Sequence, residues 1–265
     1  MPRMAKSAKR FKAITALRVL LFLIFCIFSL AASVRLYETW KTNRLNDSLR
    51  ELKADFFDSA EAWNHELLAL NEDYVGWLSV EGTRIDGPVV QGEDNNEYVR
   101  MDFYRQYSVA GTFFMDEMVD VKDREGNRII YGHMMNDNTM FGDLKKYKDL
   151  DFFKENNIVC WEDRYGTSYY RLFAAAIVSG SATNTEYMNI QEWAGHLNEA
   201  ETQEMLEILK ERSYLYQDNA FRGENQYIFL VTCEKQQTAW QKQKLVLVGE
   251  KISSISIDDV VSETQ

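Results

Sequence analysis

Cysteine is scarce in this chain of 265 residues, which contains only Cys26, Cys160 and Cys233. Cys26 lies in a long apolar run near the N-terminus, so two cysteines remain for the rest of the chain. Two cysteines make no disulfide framework for a domain of this size, and we expect the core to stabilise the fold. A single bridge between Cys160 and Cys233 is the alternative, and it would occupy both thiols.

Histidine is equally rare, with three residues, and the acidic residues are scattered along the chain. Runs such as "GEDNNE" are more typical of a solvated loop than of a calcium site. We therefore predict no metal and no cofactor. The chain also lacks internal repeats and low-complexity segments.

Positive charge is concentrated at the N-terminus. Six of the 30 lysines and arginines stand in the first 18 residues, where there is no acidic residue. The other 24 are outnumbered by 41 acidic residues, which gives that part of the chain a formal charge of −17. An acidic surface of this kind argues against nucleic-acid binding and against adhesion to anionic lipid.

The run "VLLFLIFCIFSLAASV" carries no charge between residues 19 and 34. Extended to 13–35 it can span a bilayer, provided that Arg18 reaches the headgroups. The positive-inside rule then predicts a cytoplasmic basic tail at 1–12, a transmembrane signal anchor at 13–35 and an extracellular remainder. A cleaved signal peptide is the alternative, because "SLAAS" offers small residues after the apolar run.

Residues 36–70 are polar and lack Gly and Pro, with apolar residues such as Leu45, Leu49 and Leu52 spaced three and four apart. This spacing predicts a helical N-terminal extension that packs one face on the following domain.

Residues 256–265 form a predicted flexible tail. The domain predicted at 71–255 has a different sequence pattern from the helical extension. Its short apolar runs are separated by Gly and Asn/Asp, which predicts a mostly β fold with an antiparallel barrel or sandwich. The eight runs are "YVGWLSV", "TRIDGPVVQ", "GTFFMD", "NRIIYGH", "NIVCWED", "SYYRLFAAAIV", "QYIFLVTC" and "KLVLVGEKI". Two helices are predicted between them, at about Met140 to Asn156 and Ile190 to Glu211.

His133 and Cys233 each come at the end of a predicted strand. A cysteine nucleophile needs its thiolate, so a cation or a base must lie beside it. Gly132 is expected to let the backbone turn tightly before His133. His65 and His196 fall in predicted helices as solvated residues, and Cys160 lies within a strand, where a structural role is favoured.

Four segments, in order, resemble those of class B sortases, the membrane-anchored cysteine transpeptidases that join surface proteins to the cell wall of Gram-positive bacteria. They are "GWLSVEGTRIDGPVVQGEDNNEYVRMDF", "AGTFFMD", "IIYGHMMNDNTMFGDLKKYKD" and "LVTCEKQQTAWQKQKLVLVG". The resemblance covers residues 74–252. It implies an eight-stranded β-barrel with a helical N-terminal extension and a helix between strands six and seven.

The resemblance also implies a reaction. Cys233 would attack the carbonyl of a Thr in a C-terminal sorting motif, and an amine of a lipid-linked peptidoglycan precursor would resolve the thioacyl enzyme. His133 would protonate the departing amine and deprotonate the incoming one. The backbone N–H of Glu234 would help to stabilise the oxyanion.

The sequence departs from the family at the arginine that stabilises the oxyanion, because no arginine follows Cys233. Alignment of the last strand puts Lys244 in its place, with Lys242 as the reserve candidate. A lysine keeps the charge but lacks the planar fork of a guanidinium, so a weaker grip on the intermediate is expected. The alternative is that Lys244 only decorates an exposed strand start.

The resemblance further suggests five contacts with the sorting peptide, for two of which, Val99 and Met188, a core position is the alternative. The five are Asn95, Val99, Thr183, Tyr187 and Met188.

Two other functions remain open at the level of sequence. A thiol hydrolase would resolve the same intermediate with water, and nothing in the sequence determines the acceptor. A non-catalytic, membrane-anchored binding module would keep the fold while its oxyanion cation drifted.

Overall fold

The strands of the domain follow the eight apolar runs, with one addition. The computed structural model of the chain describes residues 2–55, 60–179, 187–218, 225–234 and 243–252. Its strands are β1 (Tyr74–Val80), β2 (Asp86–Val90), β3 (Phe113–Met115), β4 (Arg128–Gly132), β5 (Ile158–Asp163), β6 (Gly166–Ser179), β7 (Ser213–Tyr216), β8 (Tyr227–Glu234) and β9 (Gln243–Lys251). The sequence does not predict β7, because its four residues continue directly from a helix and lack a flanking turn.

Eight of these strands close into a barrel. The sheet order is β5-β1-β2-β3-β4-β8-β9-β6-β7, and a further pairing of β5 with β6 closes the ring and leaves β7 on its outer edge. The predicted eight-stranded barrel is therefore confirmed. Most neighbours are antiparallel, but β2–β3 and β4–β8 are parallel. The second parallel pair is the one that positions the candidate site.

The barrel is filled by alternate side chains of its strands. The main core cluster includes fully buried Ile130 of β4, Leu230 of β8 and Val246 of β9. Burial of each such aliphatic side chain contributes roughly 1.5–3 kcal/mol. The candidate catalytic residues lie at the ends of these three strands, so the packed core fixes the positions of the strands that carry the site.

The described residues also form four α-helices: α1 (Pro2–Asp55), α2 (Ala60–Leu70), α3 (Leu150–Glu155) and α4 (Glu199–Arg212). The chain divides into two compact units at Arg44 and Leu45, within α1. In the second unit, Leu49 of α1 and Leu67 of α2 are buried against Trp77 and Tyr98 in a smaller core cluster. The predicted amphipathic stripe thus packs as expected at these positions.

Within the described residues, one helical segment, Ile14–Ala54, is long and apolar enough to cross a membrane. None of its most apolar stretch is buried within the protein. These properties agree with the predicted membrane segment, although a signal sequence would share them.

Both helices predicted between the strands are broken in two. The first begins as a 3-10 helix, Phe141–Lys148, and continues as α3, whose N-terminus is capped by the side chain of Asp149. The second begins as a 3-10 helix, Ile190–Trp193. It ends at Trp193, two residues before Gly195, which has a φ of 71°.

Helix α4 starts afresh after that break. Asn198 and Glu201 form a capping box, in which the side chain of each residue accepts from the backbone N–H of the other. His196 therefore lies in the connection before α4. The prediction that it lies inside a helix was wrong. The apolar spacing continues across the break, which is why periodicity alone did not reveal it.

Candidate active site

The two reactive residues follow neighbouring strands at one edge of the barrel. The parallel register of β4 and β8 ends with Gly132 beside Thr232. His133 and Cys233 are the next residues of the two segments. Because parallel strands end at the same edge of a sheet, this pairing brings the candidate base and the candidate nucleophile to adjacent positions.

Lys244 joins them from a third strand. In the antiparallel register of β8 and β9, Lys244 is the partner of Cys233, and Gln243 is the partner of Glu234. The Cα atoms of such partners lie roughly 4.5–5.5 Å apart. The reserve candidate Lys242 lies outside the described residues. Three strands that are neighbours in the sheet, β4, β8 and β9, thus carry the predicted base, nucleophile and cation, respectively.

The imidazole of His133 is held by one backbone carbonyl. Its Nε2 lies 2.9 Å from the carbonyl oxygen of Val99. A carbonyl oxygen can only accept, so Nε2 carries the proton in this hydrogen bond. In the neutral ring, Nδ1 is then the nitrogen with the free lone pair and is the one that can take a proton from a thiol.

The half-buried position of His133 favours the neutral imidazole. Burial lowers the pKa of His133 below its ordinary value of 6.5, the hydrogen bond to Val99 opposes this, and the nearby charge of Arg100 lowers it further. The ring is therefore suited to act first as a base at neutral pH.

The carbonyl of Val99 is placed by a tight approach of two loops. Val99 belongs to the 3-10 helix Glu97–Arg100, and Gly111 packs directly against this turn. Gly111 has a φ of 65°, and a Cβ there would lie 2.7 Å from the carbonyl oxygens of both Tyr98 and Val99. Glycine is needed at this position for its backbone conformation and for the space.

Gly132 has a different role from the predicted tight turn. Its φ is not in the left-handed region, where the described glycines are Gly82, Gly111, Gly166 and Gly195. A Cβ at Gly132 would instead lie 2.9 Å from the rings of Phe113 and Phe141, whose centroids are 4.9 Å apart. The absent side chain makes room for this aromatic pair beneath His133.

Lys244 is half-buried and lies over an aromatic ring. Its Nζ is 5.7 Å from the centroid of Tyr131, two residues before His133 on β4. Among the described residues it forms no ion pair with a carboxylate. These surroundings disfavour the alternative that Lys244 only decorates an exposed strand start.

Asn95 lies close to these residues, but its amide is already engaged. Its Nδ2 donates to Oδ2 of Asp116 at 3.1 Å, and its Oδ1 accepts from the backbone N–H of Glu117 at 3.0 Å. One amide hydrogen remains available to a peptide, and the contact of Asn95 with substrate stays a prediction.

The other predicted peptide contacts differ in exposure. Tyr187 is half-buried and donates its hydroxyl to Oδ1 of Asn189 at 3.3 Å, while its backbone forms a bridge to Ser179. Met188 is 6% exposed and belongs to the main core cluster, which favours the alternative that it is a packing residue. Thr183 lies outside the described residues.

The remaining candidates lie apart from the site. Cys160 is a free thiol within β5, and burial raises its pKa to about 11, so it is a poor nucleophile. His65 and His196 are exposed. Among the residues that the structure describes, no group of three or more His, Cys, Asp or Glu is arranged to hold a metal ion.

Sequence reasoning missed one buried acid, Asp116, directly after β3. It is fully buried and accepts hydrogen bonds from Tyr131, Asn95 and Gln191. The signal was present in "FFMD", where a carboxylate follows three apolar residues. Its partners, however, come from segments far apart in the chain.

Comparison with known proteins agrees with this geometry. Residues 78–252 match the family described as the Sortase domain. Sortase B of Staphylococcus aureus is 30% identical over 189 residues, which cover 71% of this chain and 73% of that protein. The chain belongs to the class B sortases.

Solved structures place this sortase in the same class. A mutant form of Clostridium perfringens sortase B is 26% identical, with a TM-score of 0.67 over 80% of this chain and 98% of that one. A Staphylococcus aureus sortase B–substrate complex is 26% identical, with a TM-score of 0.65 over 80% of this chain and 95% of that one. The protein is therefore a sortase transpeptidase with a barrel fold.

Proposed function

We propose that Cys233 is the nucleophile of this sortase, His133 its acid and base, and Lys244 the cation that stabilises the oxyanion. The arrangement of β4, β8 and β9 at one barrel edge is the observation that carries this proposal. The proposed substrate is a surface protein with a C-terminal sorting motif, cleaved after Thr.

In the first half of the reaction, Nδ1 of His133 takes the thiol proton while sulfur bonds to the Thr carbonyl carbon. Lys244 and the backbone N–H of Glu234 stabilise the resulting oxyanion, a contribution that is usually several kcal/mol. The C–N bond then breaks, and His133 returns the proton to the departing amine. A thioacyl enzyme and a free amine result.

In the second half, an amine of a lipid-linked peptidoglycan precursor attacks the thioester. His133 removes a proton from that amine, the C–S bond breaks, and the proton returns to the thiolate. We propose that the segment 13–35 anchors the enzyme in the membrane, with 1–12 in the cytoplasm and the catalytic domain outside the cell. This arrangement would bring the enzyme to a lipid-linked acceptor and to exported substrates.

Mass spectrometry of the intact enzyme, mixed with a small panel of sorting peptides, tests the nucleophile. We expect an acyl adduct on Cys233 that is absent from Cys233→Ala. A short glycine-type amine should then shift the product from hydrolysed to aminolysed peptide. Hydrolysis that no amine diverts would identify a peptidase, and the lack of any adduct would identify a binding module.

The cation is tested by Lys244→Arg. A guanidinium offers a planar pair of donors, so transpeptidation should rise about threefold or more. No gain, together with full activity in Lys244→Ala, would exclude this role for Lys244.

A further inference from the structure

We propose that Asp116 and Tyr131 are positioning residues for Lys244, the lysine that replaces the arginine of the family. The buried carboxylate of Asp116 fixes Tyr131, and the ring of Tyr131 in turn holds the ammonium of Lys244. This inference deepens the proposed function and rests on the role of Lys244 given there.

Asp116 is built into the barrel as an acceptor. Its backbone N–H donates to the carbonyl of Ile129 at 2.9 Å, which ties it to β4. Oδ1 accepts from the N–H of Met118 at 2.8 Å, and Oδ2 accepts from the Tyr131 hydroxyl at the same distance. Ionised carboxylate oxygens only accept hydrogen bonds, so each donor that converges on Asp116 finds an acceptor there.

The Tyr131 ring is clamped in place. Its hydroxyl is fixed by Asp116, and Phe114 stacks on it with a centroid distance of 5.2 Å and an interplanar angle of 27°. Burial raises the pKa of the Tyr131 hydroxyl far above its usual range, and the charge of Asp116 raises it further. The hydroxyl thus remains protonated and keeps its role as donor.

Lys244 takes its place on this clamped ring. Its Nζ lies 5.7 Å from the centroid, within the range of a cation–π contact. A phenol that donates to a carboxylate is more electron-rich, which strengthens its attraction for a cation. A lysine is a flexible point charge with no plane of its own, so a rigid platform limits where the ammonium can go.

The carboxylate of Asp116 also accepts hydrogen bonds from two segments that are candidates for contact with the sorting peptide. Asn95 donates to Oδ2 from one side, and Gln191 donates to Oδ2 at 3.1 Å from the 3-10 helix that follows Tyr187. A change at Asp116 would therefore alter peptide binding as well as Lys244. Tyr131 is the cleaner position for a test because it contacts Lys244 directly.

The first test is a double-mutant cycle in full-length enzyme in detergent. Tyr131→Phe should lower kcat for transpeptidation about threefold to tenfold in the Lys244 enzyme, the range expected for losing part of a cation–π contact. In the Lys244→Arg background the loss should be under about twofold, because the guanidinium carries its own plane. Equal losses in both backgrounds would show a merely structural role and overturn the inference.

Tyr147→Phe is the matched control for this cycle. Tyr147 is also buried and donates to a backbone carbonyl, that of Asn156, at 2.6 Å. Its substitution should leave kcat unchanged in both backgrounds.

A second test does not depend on turnover. Competitive acylation of lysines, followed by peptide mass spectrometry, should label Lys244 about threefold faster in Tyr131→Leu than in the native protein. Lys210, whose side chain is 60% exposed, serves as the internal reference. An unchanged labelling rate at Lys244 overturns the inference, whether or not the enzyme forms a thioacyl adduct. A missing thioacyl adduct, with faster labelling of Lys244 in the variant, would refute only the proposed function.

Discussion

Several lysines in the described part of this sortase lie over aromatic rings, and the comparison between Lys53 and Lys244 separates a structural cation from a candidate catalytic one. Lys53 of α1 has its Nζ 4.8 Å from the centroid of Trp77, and Lys244 of β9 has its Nζ 5.7 Å from that of Tyr131. Each ring in turn donates a hydrogen bond to a carboxylate, Trp77 to Asp86 and Tyr131 to Asp116.

The difference lies in the ammonium groups. Lys53 also forms an ion pair with Glu162 of β5, which compensates its charge. Within the described residues Lys244 has no such carboxylate partner. A charge that a ring holds in place, and that pairs with no carboxylate in the described part of the chain, is available for an oxyanion, and this is what the proposed role of Lys244 requires.

The largest expected effect comes from removing the charge of Lys244. Lys244→Met should lower kcat/KM for transpeptidation about 10²- to 10³-fold, as for other lost oxyanion donors. The free energy of unfolding of this variant, measured in urea, should change by less than about 1 kcal/mol, because no carboxylate among the described residues loses an ion-pair partner. Unchanged kcat/KM would remove the distinction between the two lysines.

The histidine side of the site should be almost as sensitive to a single methyl group. Gly111→Ala places a Cβ 2.7 Å from the carbonyl oxygen of Val99, which holds His133. Strain at this left-handed position should cost about 1–3 kcal/mol of stability, measured by urea unfolding.

The displaced carbonyl should also lower kcat. Gly166→Ala is a suitable control, since Gly166 has a positive φ but nothing within 4 Å of its Cβ position. If kcat falls equally in both variants, backbone strain and not the Val99 carbonyl is responsible.

The structural lysine should show the opposite pattern from Lys244. Lys53→Met leaves Glu162 without its ion-pair partner, which should cost about 1–2 kcal/mol in the free energy of unfolding. Transpeptidation per folded enzyme should stay within about twofold, since β5 pairs with β1 and β6 and not with the strands that carry the candidate site. A loss of activity without a loss of stability would contradict the comparison.

The smallest effect concerns pH. Burial lowers the pKa of His133 below 6.5, so the unfolded chain takes up this proton more readily than the folded protein. Stability should therefore fall as the pH drops below about 6.5 and level off once the folded protein is protonated as well. Urea unfolding of native protein and His133→Asn across this range should show a shallower pH dependence in the variant, and identical slopes would assign the effect to other groups.

Much of the fold could be predicted from sequence because it depends on local pattern. Runs such as "QYIFLVTC" and "KLVLVGEKI" form strands, since alternating or continuous apolar residues match the period of a buried strand. The interruption at Gly195 escaped prediction because apolar spacing continues through it. β7 was missed because a four-residue strand carries little periodicity.

The candidate site was predictable only in part. His133 and Cys233 could be found as strand-end residues, and their resemblance to a known family joined them. The prediction of a tight turn at Gly132 was wrong, because the close approach of Phe113 and Phe141 depends on tertiary packing and not on the local sequence. Asp116 was missed because its importance comes from its partners and not from its neighbours.

The sequence by itself determined the order of the elements, the candidate nucleophile and base, and the absence of any arginine after Cys233. Only the tertiary structure decided that β4 and β8 pair in parallel, that the Val99 carbonyl holds Nε2 of His133, and that Lys244 lies over Tyr131 above a buried carboxylate. The physical reason is that strand formation follows local periodicity, whereas the surroundings of a charge depend on groups that folding brings together from distant parts of the chain.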